Sequence, residues 1–97
     1  MDSNQEMSSV LRYRAFDVWC RLADGGLARY RCFEVLPLGK FCVQSKDFYR
    51  PPFRRESAKD LEEQFWELLS ETAPDQRSGM YDSLEDAIEM HDKEFGP

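Results

Sequence analysis

Leu27-Ala-Arg-Tyr-Arg-Cys-Phe-Glu-Val-Leu36, Pro37-Leu-Gly39, Lys40-Phe-Cys-Val-Gln-Ser-Lys-Asp-Phe48: two runs rich in aromatic and β-branched residues flank a proline and a glycine. Such side chains fit a half-buried pleated surface. Proline presets a negative φ at the second turn position, and glycine supplies a left-handed one two residues later. That is the chemistry of a three-residue hairpin loop. The stretch therefore predicts a hairpin with Leu36 facing Lys40, Val35 facing Phe41 and Phe33 facing Val43. Phe33, Val35, Phe41 and Val43 would then form one apolar cluster on one sheet face, against Phe65, Leu68, Leu69, Ile88 or Phe95.

Working outward toward the N-terminus, Leu11–Leu22 reads as another strand, joined to the hairpin by the turn Ala23-Asp24-Gly25-Gly26. Placing Leu22 opposite Gly26 puts Asp17 beside Arg31 and Trp19 beside Arg29 on one face, with Val18 beside Tyr30 and Phe16 beside Cys32 on the other. Opposite charges and a guanidinium–indole pair favour this register by about 0.2–1 kcal/mol per pair. Slipping by one residue would set Val18 against Arg31. The two strands also share an echo, Arg12-Tyr-Arg-Ala-Phe-Asp-Val18 and Arg29-Tyr-Arg-Cys-Phe-Glu-Val35, identical at five of seven positions. It reads as two neighbouring strands with similar jobs. Apolar residues fall on both sheet faces, so helices or a partner are expected to cover part of each.

Downstream, the adjacent Pro51 and Pro52 rule out a central strand, leaving Tyr49–Glu56 as an extended connector. Ser57-Ala-Lys-Asp60 resembles a capping box ahead of Leu61, Phe65, Trp66, Leu68 and Leu69, one apolar face of a helix ending near Thr72. Asp75–Gly79 reads as loop, and Met80-Tyr81 as a short fourth strand at the sheet edge. Ser83-Leu-Glu-Asp86 opens a second helix with Leu84, Ala87, Ile88, His91 and Phe95 on one face and Gly96 as its cap. The predicted fold class is α+β: a three-stranded antiparallel meander packed with two C-terminal helices. Residues 1–9 are expected to be flexible and 10–97 to form a single domain.

Ninety-seven residues suffice for one modest core. The polar start of the chain lacks the basic and apolar regions of a secretory signal, and no apolar run reaches the roughly 18 residues of a membrane span. Three cysteines, without close pairing, suit a reducing, cytoplasmic setting. The net charge of −6 hides a split. Residues 1–59 hold eleven Lys/Arg against seven Asp/Glu, whereas residues 60–97 hold two against twelve. A basic sheet neutralising acidic helices accounts for this without any partner.

No catalytic, metal or phosphate-binding motif stands out, so no cofactor is expected and the chain reads as non-enzymatic. The single histidine, His91, belongs to the apolar face of the last helix and reads as a core-edge residue. Cys20, Cys32 and Cys42 share the parity of one face in the predicted register, but no C-x-x-C pair exists. They read as small buried hydrophobes.

The leading functional reading is a protein-binding module of adaptor or inhibitor type, acting through its acidic helices or through the Phe48–Arg55 connector. Within the connector, Tyr49, Arg50, Phe53, Arg54 and Arg55 combine the residue types that carry binding energy with a stiff Pro-Pro step. In the competing reading Tyr49 and Phe53 pin the connector to the sheet while its arginines meet the acidic first helix. The alternative function is single-stranded nucleic-acid binding by Arg12, Arg14, Trp19, Arg29, Tyr30 and Arg31, an arginine–aromatic sheet face. The sequence pI of 4.7 weighs against it. A structural or self-associating subunit is the third reading.

Overall fold

The computed structural model describes residues 11–96. The flexible segment expected at 1–9 lies outside the described residues. Strands β1 (Arg12–Arg21), β2 (Leu27–Leu36) and β3 (Lys40–Tyr49) form an antiparallel meander in that spatial order. Helix α1 (Arg55–Glu71), the single turn α2 (Pro74–Arg77) and helix α3 (Leu84–Phe95) follow. The fold is α+β, with C-terminal helices packed on the sheet. Among the described residues no helix is long and apolar enough to cross a membrane.

The first hairpin has the predicted register. Leu22 donates its amide to the Gly26 carbonyl at 2.9 Å, and Phe16, Asp17, Val18 and Trp19 face Cys32, Arg31, Tyr30 and Arg29. Gly25 at φ +88° takes the left-handed position of the turn. The echoed segments are neighbours, but their jobs differ. An odd number of residues separates the copies within an antiparallel pair, so matched side chains occupy opposite faces. Phe16 lies beside Cys32, whereas Phe33 lies beside Ala15.

The second hairpin departs from expectation. Val35 faces Lys40, Glu34 faces Phe41, Phe33 faces Cys42 and Cys32 faces Val43. The loop is therefore one residue longer than predicted, with Gly39 at φ +67° donating to the Val35 carbonyl at 3.0 Å. The ladder then shifts between Arg31 and Cys32, so that Arg31 faces Ser45 and Tyr30 faces Lys46. Gln44 is the extra residue of this β-bulge. A one-residue slip transfers every side chain to the other face, so β3 is flipped between turn and bulge.

The core consequently has two halves rather than the single predicted cluster. Phe33, Val35 and Cys42 are buried, half-buried Tyr13 packs beside them, and Phe65 and Leu69 of α1 cover them. On the opposite face Tyr30, Cys32 and Val43 are buried with Ala87, flanked by Phe16, Phe41, Leu84 and Ile88. Each face thus receives one helix. Phe95, expected in the core, is 69% exposed, and Trp66 projects from α1 at 59% exposure.

Helix boundaries follow local chemistry with two corrections. Helix α1 begins at Arg55, ahead of the predicted box, and its Arg54 N-cap makes no side-chain bond. Two non-helical residues, Phe53 and the extended Arg54, follow Pro52 before the helix begins, and Glu56 lies in its first turn at the positive end of the helix. Asp75–Arg77, read as loop, belongs to α2, where buried Pro74 at the first position presets the helical φ. Ser83 caps α3 as predicted, its Oγ accepting from the Asp86 amide at 3.1 Å, and Gly96 closes it. The expected fourth strand is a single bridge, with Tyr81 and Phe41 exchanging two backbone bonds of 2.8 Å.

Candidate functional site

The connector predicted as a binding segment forms the wall of a cleft of about 530 Å³, lined by Phe48–Arg50, Pro52–Arg55, Ser57 and Ala58. The β1–β2 turn supports it from behind. A Cβ on Gly26 would come within 2.9 Å of the Tyr49 carbonyl oxygen, so glycine allows that close approach. Asp24 of the same turn forms an ion pair with Arg50, whose guanidinium lies 5.7 Å from the Phe48 ring centre. Tyr49 is fixed from the sheet: Arg29 donates to its hydroxyl at 3.3 Å, and its ring lies 5.4 Å from Trp19. Phe48 and Phe53 are 46% and 58% exposed. Among the described residues Arg54 and Arg55 meet no carboxylate, although acidic α1 begins beside them. The competing arrangement, arginines folded onto that helix, is absent here among the described residues.

The six residues proposed as a nucleic-acid face do not form one surface. Trp19, Arg29 and Arg31 lie on the α1 side, and Arg12, Arg14 and Tyr30 on the α3 side. Carboxylates engage three of the arginines. Arg14 pairs with Glu34, and Arg29 pairs with Asp17 at 2.8 Å while its guanidinium lies over Trp19. Arg31 is buried, bonded through Nε to Asp47 at 2.6 Å and through Nη1 to Glu62 at 3.1 Å, and packed on the Phe65 ring. Tyr30 is also buried. Its hydroxyl donates to Asp92 at 2.8 Å, and Lys46 pairs with that carboxylate at 3.3 Å, which fastens α3 to the sheet.

The bulge separates the thiols expected on one face: Cys42 lies under α1, Cys32 under α3, and Cys20 is exposed. Burial pushes Cys32 up to about 12 and Cys42 up to about 11, so both remain thiols at neutral pH. Among the described residues no three His, Cys, Asp or Glu side chains converge as a metal site requires.

A second cleft was not legible in the sequence. It lies between the β3 bulge, α2 and α3, has a volume of about 280 Å³, and includes Gln44, Arg77, Met90, His91 and Phe95 in its lining. His91 is half-buried between Tyr30 and Phe95, with ring centres 6.3 and 4.8 Å away. Burial lowers its pKa below the usual histidine value, Asp92 and Glu94 oppose that shift, and Lys46 reinforces it. In the sequence Gln44 is only the first polar residue after the apolar run Phe41-Cys-Val43, followed by Ser45, Lys46 and Asp47. Comparison with protein-family models, with curated proteins and with solved structures found no match to this chain.

Proposed function

We propose that this chain is a small non-enzymatic, cytosolic protein-binding module whose connector cleft takes an acidic segment of another protein anchored by an apolar side chain. The observation that carries this reading is the pairing of two half-exposed phenylalanines with three exposed arginines, two of them without a carboxylate partner among the described residues. Arginine and aromatic side chains dominate binding energy at interfaces, and like-signed rim charges speed the approach of an oppositely charged partner. The Pro-Pro step limits the entropy lost on immobilisation. A second reading, self-association, is favoured by the outer edge of β1, ten residues with no further strand among the described residues.

Replacing Arg50, Arg54 and Arg55 together with Ala tests the reading. The variant is expected to melt within a few degrees of the parent, because surface pairs such as Arg50–Asp24 contribute at most about 1 kcal/mol. Nuclease-treated affinity capture from the native cell should recover a defined protein with the parent and lose it with the variant. Equal capture by both proteins would place the interface elsewhere. Sedimentation of the same pair isolates the second reading, which predicts a dimer that persists in the variant.

A further inference from the structure

Gln44 is the extra residue of the bulge, and it is 6% exposed. Neither its Oε1 nor its Nε2 has a hydrogen-bond partner among the described residues, and the same holds for the buried His91 Nδ1. A buried polar group left unmet lowers stability, because it has given up its bonds to water for nothing. Bulges recur beside functional sites because they re-aim a side chain that regular alternation would place elsewhere. Here both residues line the 280 Å³ cleft and also an adjoining hollow of about 330 Å³ that reaches Lys46 and Phe48. These volumes sit at the lower end of the roughly 300–1,000 Å³ typical of ligand pockets.

We propose that this cleft binds a planar small molecule whose edge presents a hydrogen-bond donor beside an acceptor, the class that includes nucleobases and nicotinamide. A carboxamide with both atoms free reads such an edge with two parallel bonds, as glutamine does on adenine. His91 Nδ1, from the α3 side of the cleft, supplies a third polar contact. Met90 and Phe95, 38% and 69% exposed, provide apolar and aromatic surface for the faces of the ring. Arg77 stands exposed at the rim without an ion pair among the described residues, and suits an anionic substituent better than a neutral one. Glu94 on the same lining sets the opposing charge, so a single negative charge fits better than a triphosphate. The amide atoms lie deep, so a ligand reaches them only by displacing a neighbouring side chain of the lining. This site shares only Phe48, at the far end of the adjoining hollow, with the connector cleft, and its failure would leave the protein-binding reading untouched.

Titrating the uniformly ¹⁵N-labelled full chain with AMP, GMP, CMP, UMP and nicotinamide mononucleotide tests the proposal. At least one probe should bind with a Kd below about 1 mM and shift the Gln44 side-chain amide pair and the His91 ring signals. Gln44→Leu keeps the volume and removes the amide. It should melt higher than the parent, since the two unmet amide atoms of Gln44 are gone, yet bind that probe at least tenfold more weakly. This opposition of stability and binding marks a functional group kept at a structural cost. If no probe moves the Gln44 amide in the parent protein, or if Gln44→Leu binds as tightly as the parent, the proposal is wrong. A variant that melts higher with no probe binding in the parent would leave Gln44 a hydrated structural residue and overturn it equally.

Discussion

Phe33→Ala is expected to cost about 3–5 kcal/mol of stability, the usual loss for a fully buried aromatic. Phe33 is 1% exposed at the centre of β2. Its ring stacks on Phe65 at 5.7 Å with an interplanar angle of 13°, and meets Tyr13 edge-on at 6.0 Å. Strands on both sides hold the site open, so the cavity left behind cannot collapse. Phe16, its counterpart in the sequence echo, is only half-buried and should lose less than half as much on the same change. Phe65→Ala should also fall below Phe33→Ala, because α1 buries none of its residues completely. Urea unfolding with unchanged m-values measures all three. A loss below about 1 kcal/mol at Phe33 would remove it from the core.

Asp47→Ala should be the most costly change of a charged residue, again about 3–5 kcal/mol, because it leaves a buried guanidinium with only the part-exposed Glu62 as partner. The Arg31 and Asp47 side chains are 2% and 12% exposed, joined by the 2.6 Å bond. Burial alone would lower the Arg31 pKa, but the bonds to Asp47 and Glu62 outweigh it and hold the group above its ordinary value. It therefore stays charged and cannot escape by losing its proton. Glu62 is 34% exposed at 3.1 Å, so Glu62→Ala should cost only about 1 kcal/mol. Replacing Arg31 by Met together with Asp47 by Leu should recover most of the loss, because apolar pairs of similar volume substitute well for buried ion pairs. Denaturant unfolding of the single and double variants closes the cycle. A double variant no better than Asp47→Ala alone would show that the pair acts through more than its charge.

Much of the fold could be read from residue types because neighbouring choices agree. The Asp-Gly-Gly turn, the Trp19–Arg29 stack and the pairing of Phe16 with Cys32 all support one register of the first hairpin. Ser83 and Gly96 likewise mark both ends of α3. The second hairpin offered no such agreement. Phe41-Cys-Val puts an apolar residue at every position, so either register buries something, and a bulge at Gln44 carries no local signature. That single residue moves Val43 under α3, parts Cys42 from Cys32 and divides the expected cluster. The connector was legible because its arginines and aromatics are contiguous in sequence. The Gln44 cleft was not, because it draws on β3, α2 and α3, which lie far apart in the chain. The arginines and aromatics of β1 and β2 do not share one surface because strand alternation, already present in the predicted register, sends Tyr30 and Arg31 to opposite sides, whereas Asp47, the partner of Arg31, lies sixteen residues away in the chain.

Nuclear Overhauser contacts of the Val43 methyl groups test the bulge, on which the division of the core into two halves depends. With the ladder shifted between Arg31 and Cys32, these methyls should give cross-peaks to the Ala87 methyl and the Tyr30 ring, and none to Phe65. Cross-peaks from Val43 to the Phe33 and Phe65 rings, with Cys42 facing α3 instead, would show an unbroken register and contradict this account.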